Sequence, residues 1–333
     1  MTTHRGKILV LRGGAIGDFI LTLPVLAALR RQFPQAPLEV LGYPHIAQLA
    51  LASGLVDEVR PIESRGLAGF FARRGELEER LADYFAGFAL ILSFLYDPDG
   101  ILRENVARCS EAQFIAGPHR PDERQNTHAS DVFLKPLERL AIFDADPVPR
   151  LKLAAHAPGA QVARHPCGDL TRGPETAPFA GQEVGAAGGW LALHPGSGSE
   201  EKNWPEENWT RLIQCLQTTT RLDFLLLGGE AERERVRRLS AKFRPDRFQL
   251  AQGLPLAELA RRLQPCAGFI GHDSGISHLA AAVGLPTLVL WGRTNETIWR
   301  PRGDHVTVLR SPEGLPGLSV ERVFEESKRF LSP

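Results

Sequence analysis

The stretch AGFIGHDSGISHLAAAVGLP, residues 267–286, decides the fold of this chain. Residues 268–271 form a short apolar run typical of a buried strand. The alanine-rich run 276–283 predicts a helix, which the following glycine and proline end. A second apolar run, 287–290, follows at once. The stretch therefore predicts a strand–turn–helix–strand unit, the repeating element of an α/β fold with a parallel sheet.

The turn inside this unit has the features of an anion site. Asp273 or Ser274 can cap the helix, and Gly275 lets another group approach the backbone closely. Free N–H groups and the positive end of the helix dipole would then face outward together, an arrangement that commonly binds phosphate. His278 falls one turn into the helix, where its ring could reach the same ligand. Capped turns of this kind also occur in α/β crossovers that bind nothing, so the turn alone leaves a phosphate role open.

A second glycine-rich turn follows the apolar run 7–12 near the N-terminus. The segment GGAIGD, residues 13–18, lacks the GxGxxG spacing of a dinucleotide site, and the next strand, 38–41, ends without the acid that would bind a ribose. Asp18 could be a first-turn partner of the helix dipole. The glycines around it, Gly14 and Gly17, also leave room for a small substrate to approach.

Two further loops follow predicted strands in the second half of the chain. The strand 190–193 leads into a loop of small residues in which Ser197 offers a hydroxyl and Lys202 a positive charge. This loop resembles a phosphate loop without the Walker spacing, although a lone lysine near a helix start is usually solvated. The strand 222–227 ends in a Gly-Gly pair, and Glu232 follows at the start of a charged helix.

Composition bounds the class of protein. Hydrophobic residues make up 43% of the 333 residues and charged residues 23%, as in a globular protein of two domains. Lys plus Arg equals Asp plus Glu at 39 each, so no global field attracts the chain to nucleic acid. The longest apolar run, 85–96, is shorter than the ~20 residues that span a bilayer. The N-terminal residues lack the apolar core of a signal peptide.

The four cysteines, Cys109, Cys167, Cys215 and Cys266, are scattered and form no CxxC pair. We therefore expect reduced thiols in a cytoplasmic protein, without a metal site. The triplet Asp97-Pro98-Asp99 could hold a metal on a sugar diphosphate. We prefer to interpret it as a turn, because Pro98 and the following glycine favour one.

Four motifs, in order along the chain, resemble glycosyltransferase family 9, the lipopolysaccharide heptosyltransferase group. They are Gly14-x-x-Gly17-Asp18, Lys202-x-Trp204-Pro205, Gly228-Gly229-x-x-Glu232 and Asp273-Ser274-Gly275-x-x-His278. The resemblance covers nearly the whole chain apart from residues 154–189. It implies the GT-B architecture, in which two Rossmann-like parallel-sheet domains face each other across a cleft.

The resemblance also implies roles for individual residues in a metal-independent, inverting transfer of a sugar, with heptose from ADP-heptose as the expected donor. Asp18 would be the catalytic base, and Lys202 would neutralise the leaving nucleotide. Donor contacts are expected from Ser197, Lys202, Glu232, Asp273, Ser274, Gly275, His278 and Thr294. Acceptor contacts are expected from Gly14, Gly17, Arg65, Arg73, Arg74 and Arg120. In the family this region faces an anionic, phosphorylated glycolipid, and arginine binds such groups through its planar guanidinium. His272 stands where many family members have Asn, so ADP as the nucleotide comes from the resemblance alone.

We predict an N-terminal acceptor-binding domain over 1–165, a linker over 166–189 and a C-terminal nucleotide-sugar domain over 190–318. Residues 319–333 should form a helix that packs back at the domain junction. We expect a monomer without a bound cofactor, in the cytoplasm or on the cytoplasmic face of the inner membrane, with no nucleic-acid partner. A non-catalytic nucleotide-sugar or glycan-binding relative and a nucleotide-sugar epimerase of the same architecture remain open as alternatives, and an NAD oxidoreductase is disfavoured by the missing fingerprint.

Overall fold

The computed structural model describes residues 6–153 and 189–330, which form two α/β halves. The N-terminal half alternates strands and helices in the order β1 (Lys7–Arg12), α1 (Ile16–Ile20), α2 (Leu23–Gln32), β2 (Leu38–Gly42), α3 (Pro44–Ala52), β3 (Glu58–Pro61), α4 (Glu79–Ala86), β4 (Phe88–Ser93), α5 (Ile101–Ala107), β5 (Gln113–Ala116) and α6 (Ala129–Leu134).

The C-terminal half repeats this alternation. Its elements are β6 (Trp190–His194), α7 (Glu206–Thr219), β7 (Asp223–Gly228), α8 (Arg233–Ser240), β8 (Phe248–Gln252), α9 (Leu256–Leu263), β9 (Cys266–His272), α10 (Gly275–Ala282), β10 (Thr287–Leu290), α11 (Glu296–Trp299), β11 (Val306–Leu309) and α12 (Val320–Ser327). Strand, turn and helix in the stretch 267–286 are therefore confirmed.

Both sheets are parallel, with the orders β3-β2-β1-β4-β5 and β11-β10-β9-β6-β7-β8. Val10 in the central strand β1 lies between Val40 of β2 and Leu92 of β4. In each sheet the chain moves outward on one side of the central strand and then returns to the other side. Such a reversal leaves a crevice at the carboxyl ends of the strands, where α/β proteins bind ligands.

The two halves share one core. A cluster of buried apolar side chains runs from Val10 and Phe133 in the N-terminal half to Ala192 and Trp299 in the C-terminal half. Separate clusters cover the other face of each sheet. The predicted pair of parallel-sheet domains facing each other is confirmed, and the shared core joins them. In the described residues, no helix combines the length and the apolar character needed to cross a membrane.

The segment 62–88, predicted as helical, is different in the structure. A 3₁₀ helix (Arg65–Phe71) and α4 are separated by a turn in which Arg74 has φ 53°. An added Cβ at Gly69 would overlap the carbonyl oxygen of Glu76, so the chain folds back closely on itself here. The buried side chain of Asn105 donates hydrogen bonds to the carbonyls of residues 69, 70 and 72, which replace bonds of a continuous helix. These long-range contacts outweigh the helical periodicity.

The C-terminal helix is also different from the prediction. Val320 and Val323 of α12 pack in the cluster of the C-terminal domain together with Trp209 of α7, and Arg211 of α7 pairs with Glu321. The apolar stripe of α12 therefore packs on the outer face of its own domain and not at the domain junction. Residues 331–333 lie outside the described residues.

The chain reaches the C-terminal half earlier than predicted. Leu151 N–H donates to the carbonyl of Ala282 at 2.7 Å, and Gln264 Nε2 donates to the carbonyl of Leu153 at 3.5 Å. Residues 151–153 thus already pack on the second domain. The linker was predicted over 166–189, and all of it except Gly189 lies outside the described residues. Cys167 lies outside them as well, whereas Cys109, Cys215 and Cys266 are free thiols.

Candidate active site

A cleft of about 680 Å³ lies between the two halves, at the carboxyl ends of their strands. Its N-terminal wall comes from the segments that follow β1, β2 and β3, and its C-terminal wall from those that follow β6, β7 and β9. The lining residues are Gly14, Ala15, Ile16, Gly17, Tyr43, His45, Ile46 and Glu63 on one side, and His194, Ser197, Gly198, Gly229, Glu232, Ser274, Gly275 and Ile276 on the other.

The turn before α10 has the geometry of an anion site. Ser274 is the N-cap of this helix, and its Oγ accepts a hydrogen bond from Ser277 N–H at 3.4 Å. Ser277 Oγ in turn donates to the carbonyl of His272. The first N–H groups of a helix have no acceptor within the helix. Because Ser274 and Gly275 line the cleft, these donors and the positive end of the α10 dipole face it.

Asp18 lies half-buried in the first turn of α1, behind the glycine turn that lines the cleft. Its Oδ2 accepts a hydrogen bond from Ala15 N–H at 3.1 Å, as a carboxylate in the first turn of a helix commonly does. Asp18 therefore does act as a partner of the helix N-terminus, the structural role considered for it in the sequence. Gly14, with φ 96°, lies so close to Asp18 that an added Cβ would be 3.0 Å from Oδ2.

Arg12, at the end of β1, supports the turn that contains Asp18. Its guanidinium donates to the carbonyl of Asp18 at 3.0 Å and to the carbonyl of His119 at 3.0 Å. The side chain packs on the ring of Phe133 at 4.4 Å. Burial lowers the pKa of Arg12 to about 10, which leaves the group charged at neutral pH. The backbone of Asp18 is thus held by a buried cation.

The turns before α1 and α10 touch each other where the two domains meet. An added Cβ at Gly275 would lie 2.7 Å from Ile16 Cβ and 3.1 Å from Gly17 N. A side chain at position 275 is therefore excluded, and the close approach of the two domains depends on this glycine. Since both helices begin here, the positive ends of their dipoles converge on the same edge of the cleft.

The loop between β6 and α7 contributes the third part of the site. Lys202 Nζ donates to Asp273 Oδ2 at 2.8 Å, and Ser197 Oγ donates to Asn203 Oδ1 at 2.9 Å. Ser197 and Gly198 line the cleft, while Lys202 lies beside it, paired with Asp273. The structure thus brings Ser197, Lys202, Asp273, Ser274 and Gly275 together.

Glu232 and His194 are the buried polar residues of the C-terminal wall. Glu232 is buried and accepts from Gly229 N–H at 2.8 Å, while His194 Nδ1 lies 3.4 Å from Ser274 Oγ. Burial lowers the pKa of His194 to about 4, whereas the charge of Glu232 opposes this shift. His194 is neutral at pH 7. It links the β6 loop to the α10 turn.

Sequence reasoning missed four polar residues of the lining, namely His194, Tyr43, His45 and Glu63. Each occupies the end of a strand or follows one closely, and that position was the available signal. The rings of Tyr43 and His45 lie 5.8 Å apart. With Glu63, they add polar groups to the wall that faces Ser197 and Glu232.

The predicted arginines do not line the cleft. Arg65 and Arg74 are exposed, Arg73 pairs with Asp99 at 3.4 Å, and Arg120 packs on the ring of Trp299 at 5.4 Å. Thr294 is also absent from the lining, and its carbonyl accepts a hydrogen bond from Trp291 Nε1 at 2.7 Å.

His278 lies at the domain contact and not in the cleft wall. An added Cβ at Gly17 would be 3.3 Å from its Cδ2, and the ring bonds to the backbone of Trp299. Its Nδ1 is buried without a partner among the described residues. Burial lowers the pKa of His278 to about 4. The ring therefore packs as a neutral group where α1 meets α10.

A polar seam, formed by residues 120–131 and 295–302, joins the two domains. Arg302 makes two hydrogen bonds to the carboxylate of Asp131, at 2.7 and 2.9 Å. His128 Nδ1 accepts from Ser130 N–H, so Nε2 carries the proton and donates to the carbonyl of Arg300 at 2.9 Å. The seam therefore links the two domains by direct polar contacts.

The turn at residues 97–99 has the structural role that we preferred for it. The carboxylate of Asp97 accepts hydrogen bonds from Leu102 N–H and Arg103 N–H, both at 3.1 Å, and so caps α5. Within residues 6–153 and 189–330, no group of three or more His, Cys, Asp or Glu side chains is placed to hold a metal ion.

Known proteins resemble this chain in sequence and in fold. The sequence model of glycosyltransferase family 9 (heptosyltransferase) matches residues 151–327, more than half of the chain. Lipopolysaccharide heptosyltransferase 1 of Salmonella typhimurium is 32% identical over 126 residues, which are 38% of this chain and 39% of the relative. The chain thus matches about two fifths of the length of that relative.

Solved structures share the fold over nearly the whole chain. A glycosyl transferase family 9 protein from Veillonella parvula has a TM-score of 0.74 at 19% identity and covers 99% of this chain and 98% of its own. The E. coli heptosyltransferase WaaC with ADP-2-deoxy-2-fluoro heptose has a TM-score of 0.68 at 19% identity, covering 97% and 99%. The GT-B architecture is therefore confirmed. With a family match over more than half of its length, the chain belongs to glycosyltransferase family 9, the heptosyltransferase family.

Proposed function

We propose that this protein is an inverting glycosyltransferase that moves heptose from ADP-heptose to a hydroxyl of a lipopolysaccharide core acceptor. The observation that carries this proposal is the contact between the glycine turn of Asp18 and the Ser274–Gly275 turn across the cleft. It brings the glycine turn in front of Asp18 to one side of the cavity and the first N–H groups of α10 to the other. A displacement at a sugar carbon would need a base such as Asp18 on one side of that carbon and donors for the leaving phosphate on the other.

The proposed reaction is a single displacement. The acceptor hydroxyl attacks the anomeric carbon while Asp18 takes its proton, a new C–O bond forms, and the bond from that carbon to the diphosphate oxygen breaks. Attack opposite to the leaving group inverts the configuration. Negative charge then builds on the departing ADP.

The C-terminal wall would stabilise the departing diphosphate. Ser197 Oγ, the ammonium of Lys202 and the N–H groups of Ser274 and Gly275 are the donors that we assign to this charge. Because they are held before the reaction by the hydrogen bonds of their loops, little reorganisation is needed in the transition state. Lys202 would exchange part of its contact with Asp273 for the phosphate. Glu232, at the end of the same wall, is assigned to a ribose hydroxyl.

The acceptor would approach from the N-terminal wall. Gly14 and Gly17, which flank Asp18 in the sequence, line the cleft, and Glu63 lines it two residues before Arg65. We therefore assign Arg65, Arg73 and Arg74 to anionic parts of the acceptor that extend beyond the cleft. A glycolipid acceptor bound in this way would bring the protein to the cytoplasmic face of the inner membrane. WaaC, which shares the fold, is solved with a fluorinated ADP-heptose, and this supports ADP-heptose as the donor to test.

Calorimetric titration with ADP, UDP, GDP and NAD tests the donor site on the wild type and Lys202→Ala. Selective ADP binding that weakens in the variant, followed by release of ADP from ADP-heptose only when acceptor is present, is the expected result. Binding of UDP or GDP instead would reject heptose as the sugar. A protein that binds none of the four nucleotides would not be a nucleotide-sugar transferase.

A further inference from the structure

His272, the last residue of β9, joins the two ends of the loop that carries Ser197 and Lys202. Trp204 N–H donates to His272 Nε2 at 2.9 Å, and Nδ1 lies 3.3 Å from the carbonyl oxygen of Gly196. The ring is completely buried. Residues 197–203 therefore form a loop that is closed by one side chain from the neighbouring strand.

The two hydrogen bonds define the protonation state of the ring. Because Nε2 accepts from an N–H group, the proton is on Nδ1, which donates to the Gly196 carbonyl. Burial, together with a smaller effect of the neighbouring His194, lowers the pKa of His272 to about 3. The ring is therefore neutral, with one tautomer, throughout the pH range in which proteins normally work.

The surroundings also restrict rotation of the ring. Trp209 packs edge-on at a centroid distance of 5.5 Å, and Trp204 packs on Trp209 at 5.6 Å. Ser277 Oγ donates to the carbonyl of His272 and so ties the end of β9 to the first turn of α10. The next residue, Asp273, pairs with Lys202. Two consecutive residues of β9 and its turn thus hold the loop at Gly196, Lys202 and Trp204.

We propose that His272 is a positioning residue for the donor diphosphate: it holds the 196–204 loop so that Ser197 and Lys202 face the leaving phosphate. The proposal rests on the proposed function and assigns no contact between His272 and substrate. A loop ordered before binding loses less entropy when the phosphate arrives, and its donors are already aimed. A neutral ring does this without adding a charge to the site.

The test compares AMP with ADP, which differ in the phosphate that the loop would bind. His272→Phe keeps an aromatic ring beside Trp209 but removes both hydrogen bonds, and His272→Asn keeps a polar group that can replace one of them. His305→Phe is the matched control, because His305 Nε2 also bonds to a backbone carbonyl, that of Ala281 at 2.9 Å, but does not line the cleft.

We expect the ratio of the AMP to the ADP dissociation constant to fall about tenfold in His272→Phe, as the loss of one net hydrogen bond predicts. His272→Asn should recover part of the ratio, and the control should leave it within about twofold. Equal weakening of AMP and ADP would show a merely structural role and overturn the proposal. An unchanged ratio with normal ADP affinity would also overturn it, while the proposed function would stand. If the wild type binds no ADP, the proposed function fails first.

A second measurement does not depend on the folding of the variants. In wild-type protein labelled with ¹⁵N-histidine, the ring of His272 should show the Nδ1–H tautomer at every pH from about 5 to 8. A ring that carries its proton on Nε2, or that becomes protonated within this range, could not make both hydrogen bonds. Either result would overturn the positioning role even if His272→Phe does not fold.

Discussion

The ion pair between Lys202 and Asp273 should contribute to stability and to donor affinity in separable amounts. The side chain of Lys202 is 40% exposed and that of Asp273 is 10% exposed. Exposed pairs contribute roughly 0–1 kcal/mol, whereas removing one partner of a buried pair costs about 3–5 kcal/mol. With one partner in each environment, we expect Lys202→Ala to lower the free energy of unfolding by about 2 kcal/mol, mainly because the carboxylate loses its partner.

A double-mutant cycle measures the pair itself. Urea unfolding of the wild type, Lys202→Ala, Asp273→Asn and the double variant should give a coupling energy of about 1–2 kcal/mol. Lys242→Ala is the control, since Lys242 pairs with Glu206 at 3.3 Å on the surface of the same domain and should cost less than about 1 kcal/mol.

Lys202 should contribute to donor affinity whether or not Asp273 carries a charge. A hydrogen bond to a charged group contributes about 1.5–3 kcal/mol, so Lys202→Ala should weaken ADP binding about ten- to a hundredfold. The loss should appear in the wild-type and in the Asp273→Asn background. The loss of ADP affinity should be smaller at high salt. A coupling energy near zero together with unchanged ADP affinity would show that Lys202 is simply solvated, and our account of the loop would be wrong.

Three further predictions test other parts of the molecule. Asp18→Asn should reduce transfer at least about a hundredfold while ADP affinity stays within about twofold, and loss of ADP binding in this variant would refute the role of Asp18 as the base. The control Asp97→Asn, which alters a helix cap outside the cleft, should change stability only. Burial lowers the pKa of His278 to about 4, below the usual unfolded value near 6.5. Between these values the unfolded chain binds more protons, so the free energy of unfolding should fall by about 1.5 kcal/mol for this ring as the pH falls from 6.5 to 5. Urea midpoints of His278→Gln should depend less steeply on pH than those of the wild type, and equal slopes would contradict this. Arg302→Ala should increase the radius of gyration measured by X-ray scattering and lower activity, whereas the exchange Arg302→Asp with Asp131→Arg should restore both; a compact Arg302→Ala protein would show that the seam does not hold the domains.

Local sequence signals predicted the regular elements near the site well. Residues 267–286 contain their own strand, cap, helix and stop, so periodicity and turn residues were sufficient to predict β9, the Ser274 turn and α10. Prediction failed at 62–88, where Gly69 and Asn105 make contacts that periodicity does not report. It also failed for α12, because an apolar stripe predicts that a face is buried but not the domain that buries it.

The sequence by itself determined the two α/β halves, the order of the glycine turns and six of the sixteen residues that line the cleft, namely Gly14, Gly17, Ser197, Glu232, Ser274 and Gly275. These features depend on short-range preferences: apolar runs for buried strands, serine or aspartate before helices, and glycine where backbone must be approached. Only the tertiary structure decided that Gly275 lies against Ile16, that the arginines lie outside the cleft, and that His272 closes the Lys202 loop. Such contacts join residues far apart in the chain. They follow from the packing of two domains, for which no local pattern in the sequence carries a signal.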